Sequence, residues 1–128
     1  MHPNETLIRE GYDAFVRGDL EAVAKFLHPD ARWHVAGRSP LAGVYSGHEE
    51  LFALFARIFE ITEGTIALSA RDVLVSEDHV IVLTTMKARR GERVLDDDGV
   101  AVFKIHDGLA TEVWNFAENQ DEMDSFFS

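Results

Sequence analysis

Asp97 is the carboxylate whose place in the sequence best suits acid–base chemistry. It lies between Asp96 and Asp98 in a strand-like segment. If its side chain points into an apolar interior, loss of hydration and its like-charged neighbours would both raise the pKa of its carboxyl group. Such a carboxyl can act as a general acid or base near neutral pH. A solvated strand end beside a turn has the same pattern, so both interpretations stay open.

His34 is the second candidate for proton transfer, because histidine titrates near neutral pH. Strand alternation places Trp33 and Val35 on one face and His34 on the other. His34 would therefore reach the interior only if an irregularity near Gly37 turned it inward. The alternative is a histidine on the sheet surface.

Asn115 is an amide in the middle of a strand, between Val113 and Ala117. No turn or helix end lies near enough to explain it. A buried amide needs hydrogen-bond partners, so we expect Asn115 to face a cavity and to bond either a ligand or a neighbouring side chain such as Tyr12 or Asp97.

Spacing argues against several metal sites and cofactors. The segment 48–52 begins like a zinc-protease helix but has phenylalanine where the second histidine is required. Aligning Gly99 with the glycine of a calcium loop puts Val94 and Ile105 at ligand positions. The chain has no cysteine, its six histidines are dispersed, and it has no glycine-rich phosphate loop. We expect neither a metal nor a cofactor.

Composition limits the classes of protein and partner. With 128 residues, 46% of them hydrophobic, the chain is long enough for one domain covering residues 1–128. Its formal net charge of -11 repels phosphate backbones and anionic lipids, so we expect no nucleic-acid partner and no membrane. The start of the chain lacks the pattern of a signal peptide, which predicts a cytoplasmic location.

Apolar periodicity predicts helices in the first half of the chain. One covers residues 4–17, and a second begins after Asp19 and ends before Pro29. A strand over 31–36 and a loop over 37–45 follow. Ser46 and Glu49 have the spacing of a capping box at the start of a third helix, over 47–62.

The period changes to two after residue 65, which predicts strands. We expect an antiparallel meander over 65–75, 79–89, 94–106 and 109–118, and then a short terminal helix over 121–127. On the third of these strands the predicted concave side carries Asp97, Gly99, Ala101, Phe103 and Ile105.

The predicted outer face of the sheet is also apolar. It carries Val100, Val102, Trp114 and Phe116. A solvated sheet face should be polar, so a second copy of the chain is the simplest cover. We expect a homodimer through this face.

Four segments resemble the SnoaL-like branch of the nuclear transport factor 2-like superfamily, which includes polyketide cyclases. They are residues 12–20, 32–34, 40–47 and 113–119. The resemblance implies an α+β fold, in which a curved antiparallel sheet wraps around N-terminal helices to form a cone with a central pocket, a cystatin-like roll. The substrate-binding residues expected in that pocket are Tyr12, Phe15, Trp33, Val35, Phe55, Phe59, Phe103, Val113 and Asn115.

Two related enzymes carry catalytic residues that this chain lacks. Laid on ketosteroid isomerase, it has Val35 and Ala101 in place of the base and oxyanion-hole aspartates, and Gly11 in place of the tyrosine. Laid on limonene-epoxide hydrolase, it has Asn115 in place of the acid aspartate and Val113 in place of the neighbouring tryptophan. A neutral amide cannot protonate an epoxide.

Three functions are therefore open. The chain could be an acid–base enzyme of the isomerase, cyclase, dehydratase or hydrolase type, acting without a cofactor on a small apolar, oxygenated molecule. Asp97 and His34 would then move protons while Asn115, Tyr12 and Trp33 orient the substrate. It could instead be a non-catalytic carrier or sensor of such a molecule, or a dimeric interaction module whose cavity is merely core.

Overall fold

Two short helices open the fold, which we describe from a computed structural model covering residues 2–128. Helix α1 spans Pro3–Val16 and α2 spans Leu20–Phe26. Gly18 adopts a φ of 73° between them, and the Asp19 carboxylate accepts a hydrogen bond from the Ala22 amide at 3.1 Å. A positive φ is readily available to glycine, which allows the chain to turn here. Both helices lie close to their predicted positions.

The sheet has six strands, and α3 (Gly47–Ile61) lies between the second and third of them in the chain. The strands are β1 (Leu27–Val35), β2 (Gly43–Ser46), β3 (Ala67–Val75), β4 (His79–Arg90), β5 (Arg93–His106) and β6 (Leu109–Ala117). Their order across the sheet is β2-β1-β6-β5-β4-β3. The predicted meander is confirmed as β3 to β6.

The first half of the sheet differs from the prediction in two ways. Strand β2 occupies part of the segment expected to be a loop, and β1 begins at Leu27 rather than near residue 31. Pro29 is tolerated because it lies where the β1–β6 register is irregular, between Leu27 and Arg32. The β1–β6 pair is parallel and the other pairs are antiparallel, so the sheet is mixed.

Helix α3 has a different N-terminal cap from the predicted one. The Ser46 side chain makes no capping hydrogen bond, and the Glu50 carboxylate, rather than that of Glu49, accepts from the Ser46 amide at 2.7 Å. One carboxylate thus satisfies an amide at the helix start. The helix buries Leu51, Leu54 and Phe55.

A final helix, α4, spans Gln120–Phe127 and begins one residue before the predicted start. Asn119 caps it by accepting from the Glu122 amide at 3.1 Å. Phe126 and Phe127 are buried, and the helix contacts β5 and β6. It therefore lies over the ends of the two strands that carry Asp97 and Asn115.

Residues from all six strands form a continuous register row on the outer face. The row reads Leu74, Ile81, Val102, Trp114, His34 and Val44 from β3 to β2. Leu74, Val44 and Ile81 are exposed. No helix among residues 2–128 is both long enough and apolar enough to cross a membrane.

Candidate functional site

The concave face of the sheet, α1, α3 and α4 together enclose a cavity of about 150 Å³. This is about ten times the volume of roughly 10–15 Å³ that one water molecule needs. Gly99 and Ala117 line the cavity where β5 meets β6. A Cβ on Gly99 would lie 2.5 Å from the Phe116 carbonyl oxygen, so this position has no space for a side chain.

Asp97 lies at one end of this cavity, beside α4. Its side chain lines the cavity although the residue is only 7% exposed. Oδ2 accepts a long hydrogen bond of 3.4 Å from the Asn119 amide. Within residues 2–128, Oδ1 accepts no hydrogen bond, yet it is not sealed from solvent-sized molecules. The carboxyl group thus keeps a free oxygen for a ligand.

Asp124, which the sequence analysis did not select, is a second buried carboxylate lining the cavity. It is 6% exposed, and Oδ1 accepts a hydrogen bond from Gln120 Nε2 at 2.9 Å. This bond holds the pKa of Asp124 below its usual value against the opposing effect of burial, and the backbone amides of Arg38 and Ser39 act in the same direction. The charge of Arg38 lowers this pKa as well. Oδ2 is buried, and no donor of the described residues, the Arg38 and Ser39 amides included, meets it with hydrogen-bond geometry.

The position of Asp124 on α4 carries a sequence signal. Residues three and four apart share a helix face, so Asp124 belongs with Gln120 and the buried Phe127. A carboxylate on the apolar face of a short amphipathic helix is unusual, because charged groups are rarely buried without a partner. That pattern indicates Asp124 as a candidate functional residue.

The opposite end of the cavity is aromatic. The ring of Phe103 contacts Tyr12 at a centroid distance of 6.1 Å and Trp33 at 6.2 Å, both edge to face. Phe55 packs edge to face against Trp33 and Phe15, each at 5.3 Å. These contacts fix the rings in the edge-to-face geometry that aromatic pairs favour.

Three polar groups at this end make no side-chain hydrogen bond to any described residue. They belong to Tyr12, Trp33 and Asn115, which all line the cavity. Burial raises the pKa of the Tyr12 phenol, so it stays protonated and can donate a hydrogen bond. Asn115 lies between Ala101 and Val35 in register. Of the two expected alternatives, a bond from Asn115 to Tyr12 or Asp97 is not formed, because its nearest neighbours on the sheet are apolar; a bond to a ligand stays a prediction.

The cavity contains most of the residues expected there, but not all. The lining includes Asp97, Tyr12, Phe15, Trp33, Val35, Phe55, Phe103 and Asn115. Val113 is completely buried in the core, and Phe59 packs against Phe15 at 5.1 Å behind the wall. Thr84 and Met86 of β4 line the cavity and were missed, because only strand pairing shows that they lie beside Gly99 and Asp97.

His34 does not reach the cavity. It lies on the outer face, where its Nε2 is 2.6 Å from Glu112 Oε2 and its ring stacks on Trp114 at 5.3 Å. The regular pairing of β1 with β6 from Arg32 to Val35 keeps His34 in phase with Trp114, so no irregularity turns it inward. The geometry therefore gives no support to shared proton transfer by His34 and Asp97.

The part of the chain that the structure describes contains no cluster of three or more His, Asp or Glu side chains able to hold a metal ion. Among these residues, the cavity lining also contains no lysine, arginine or histidine. Its polar chemistry comes from carboxyl, hydroxyl, amide and indole groups.

Comparison with known proteins identifies similar chains and structures. The uncharacterized protein Rv0034 of Mycobacterium tuberculosis is 29% identical over 123 residues, which are 95% of this chain and 94% of that protein. Bal32a, from a soil-derived mobile gene cassette, is 32% identical with a TM-score of 0.95, covering 98% of this chain and 97% of its own. TerC, co-crystallized with polyporic acid, shares the fold at 23% identity and a TM-score of 0.87, covering 99% of this chain and 100% of its own.

A family model agrees with this likeness and with the observed α+β roll. The model of the SnoaL-like domain matches residues 8–113, which include most of α1, all of α2 and α3, and most of the sheet. The chain belongs to the SnoaL-like domain family, within the nuclear transport factor 2-like fold.

Proposed function

We propose that this chain binds a small, largely apolar organic molecule in the cavity, and that Asp97 exchanges protons with it without a cofactor. The observation that carries the proposal is the buried carboxyl of Asp97, with a free Oδ1, in an otherwise mostly apolar enclosure. An apolar pocket with few convergent polar groups is typical of small-molecule sites. A carboxyl in such a place can serve as a general acid or base.

The aromatic end would hold the part of the molecule farthest from Asp97. Trp33 and Phe103 offer ring surfaces, and the uncommitted groups of Tyr12 and Asn115 can bond an oxygen atom of the ligand. A protein of the same fold supports this proposal, since TerC was co-crystallized with polyporic acid.

A carrier or sensor is the second candidate, and one observation favours it. No titratable side chain in residues 2–128 lies within hydrogen-bond distance of Asp97. Phe103, which Tyr12 contacts, lies about 20 Å from Asp97 along β5 at about 3.3 Å per residue. A single proton acceptor without a nearby donor suits binding as well as it suits turnover.

A deuterium-exchange experiment distinguishes an enzyme from a carrier. The α-protons of the small ketone 2-indanone would be followed by NMR in D2O, because a general base removes such a proton and returns a deuteron. We expect the wild type to accelerate exchange and Asp97→Asn to lose that acceleration. Asp96→Asn, which changes the adjacent exposed carboxylate, should behave as wild type. Binding of the ketone without accelerated exchange would contradict the enzyme and support the carrier.

We also propose a homodimer through the outer face of the sheet. Phe116 is 51% exposed beside Trp114, and the register row crossing this face is apolar apart from His34. An exposed apolar surface of this kind is typical of a protein interface. A twofold pair of identical faces would cover it.

A further inference from the structure

Two carboxylates at the end of the cavity beside α4 form no ion pair in the part of the chain that the structure describes, although the charge of Arg38 helps to lower the pKa of Asp124. Asp97 and Asp124 are 7% and 6% exposed, and neither forms a salt bridge in the described residues. The nearby Arg38 side chain instead pairs with Asp121 at 3.0 Å, out in solvent. We call Asp97 and Asp124 the acidic end of the cavity.

Two less buried acids of this chain have cationic partners. The Glu5 side chain is 22% exposed and pairs with Arg9, and that of Glu112 is 25% exposed and pairs with Arg32 and His34. Desolvation makes an unpaired buried charge costly, so pairing should matter most at the deepest positions. Here the two most buried carboxylates have hydrogen-bond partners but no ion pair within residues 2–128.

We infer that the acidic end binds the protonated amine of the ligand, with Asp97 Oδ1 accepting its hydrogen bond. This inference rests on the proposed small-molecule site and names the class of its ligand. Oδ1 is the free oxygen on the cavity side, while Asp124 contributes negative potential from its sealed position. An ammonium group supplies the charge that the lining lacks, because no lysine, arginine or histidine lines the cavity within residues 2–128.

The rest of the cavity fits the remainder of such a molecule. Apolar side chains of Leu54, Ile58 and Leu68 line the walls between the helices and the sheet. An amine with a compact apolar or aromatic body would place its nitrogen at Asp97 and its body against Met86 and Leu68, which lie in the same register row as Asp97 and line the cavity.

An isomeric pair of probes tests the charge alone. Benzylamine is protonated at neutral pH, whereas its isomer 4-methylaniline is neutral, so the two have closely similar size and different charge. We expect wild-type protein to bind benzylamine about tenfold or more tightly by calorimetry, as a desolvated charge pair implies. Benzoate, of opposite charge, should bind more weakly than either.

Substitutions assign the effect to Asp97. Asp97→Asn keeps an oxygen for the Asn119 amide and removes the charge, so it should erase the preference for benzylamine. Asp124→Asn should reduce that preference by a smaller factor. Asp96→Asn removes the same charge from the opposite face of the strand and should keep the full preference.

Each other outcome overturns the inference. Equal binding of the two isomers by the wild type overturns the amine and leaves the small-molecule site standing. If neither isomer binds, the amine is overturned, while exchange of 2-indanone still decides the proposed function by itself. A benzylamine preference that survives in folded Asp97→Asn overturns the role of this carboxylate. If that variant does not fold, the wild-type comparison of the isomers remains decisive.

Discussion

Carboxylates on the two faces of the sheet differ in whether they form ion pairs. On the outer face, Glu112 Oε2 lies 2.6 Å from His34 Nε2 and 4.0 Å from Arg32 Nη1. Inside the cavity, Asp97 and Asp124 are more deeply buried and have no ion pair in the described residues. A carboxylate that pairs with neighbouring cations stabilises the fold, whereas a buried carboxylate without an ion pair is available to bind a ligand.

The apolar groups of the two faces differ as well. Inside, Trp33, Phe55 and Phe103 pack edge to face at fixed distances. Outside, Trp114 stacks on His34, and the neighbouring Phe116 remains half exposed. The inner aromatic rings pack against one another within one chain, whereas the outer ones keep exposed surface. We therefore expect substitutions on the outer face to change association and those on the inner face to change ligand binding.

The largest expected effect comes from placing a charge on the outer face. Trp114→Glu should weaken dimerisation by about 3 kcal/mol, because a buried interface would have to desolvate a carboxylate without a partner. Sedimentation velocity against concentration measures the change. Trp114→Phe, which stays apolar, is the control. A wild-type chain that sediments as a monomer at micromolar concentration would refute the dimer.

The second effect tests the loop that packs on the acidic end. Gly37 has a φ of 100°, and a Cβ there would collide with the Asp124 carboxylate and the Gln120 amide. Gly37→Ala should therefore lower the free energy of unfolding by about 1–2 kcal/mol more than Gly18→Ala. Gly18 also has a positive φ but open space around it, so it isolates the strain of the backbone. Equal losses in chemical denaturation would show that the loop does not pack on Asp124 as described.

The third effect tests the aromatic end through pH. Burial raises the pKa of Tyr12 above the ordinary value of 10.0 for a tyrosine, so the unfolded chain releases this proton first. The contribution of the phenol to stability is thus complete below pH 10 and falls as the pH rises further, by up to about 1.4 kcal/mol per pH unit. Unfolding by urea at pH 9 and pH 11 should show a smaller loss for Tyr12→Phe than for the wild type. Identical losses of unfolding free energy in the two proteins would show that the phenol is exposed to water.

The smallest effect on stability is expected at Asn115. Its amide makes no side-chain hydrogen bond to the described residues, so Asn115→Leu should change the free energy of unfolding by only about 0.5 kcal/mol. Binding of 2-indanone should nevertheless weaken, while sedimentation stays unchanged. Ala101→Ser, at the neighbouring position on β5, adds a small polar group and is a useful comparison. Unchanged binding of 2-indanone by Asn115→Leu would show that this amide does not contact the ligand.

The sequence predicted the elements whose signals are local. Period-two alternation located β3 to β6 and put Asp97, Ala101 and Phe103 on one face, as the burial of those residues shows. Local capping signals also placed α2, since Asp19 bonds the Ala22 amide as an N-cap should. Such features depend on residues a few positions apart, and a single chain displays them directly.

The tertiary structure decided what depends on distant pairing. The parallel alignment of β1 with β6 fixed His34 beside Trp114 and away from Asp97, although the local sequence allowed either face near Gly37. The docking of α4 brought Asp124 against Gly37 and into the cavity lining, across a separation of 87 positions that no local pattern reports. The types of residue and their alternation were therefore readable in the sequence. The absence of an ion pair at Asp97 and Asp124 among the described residues depends on the long-range contacts that form the cavity, so the sequence alone could not show it.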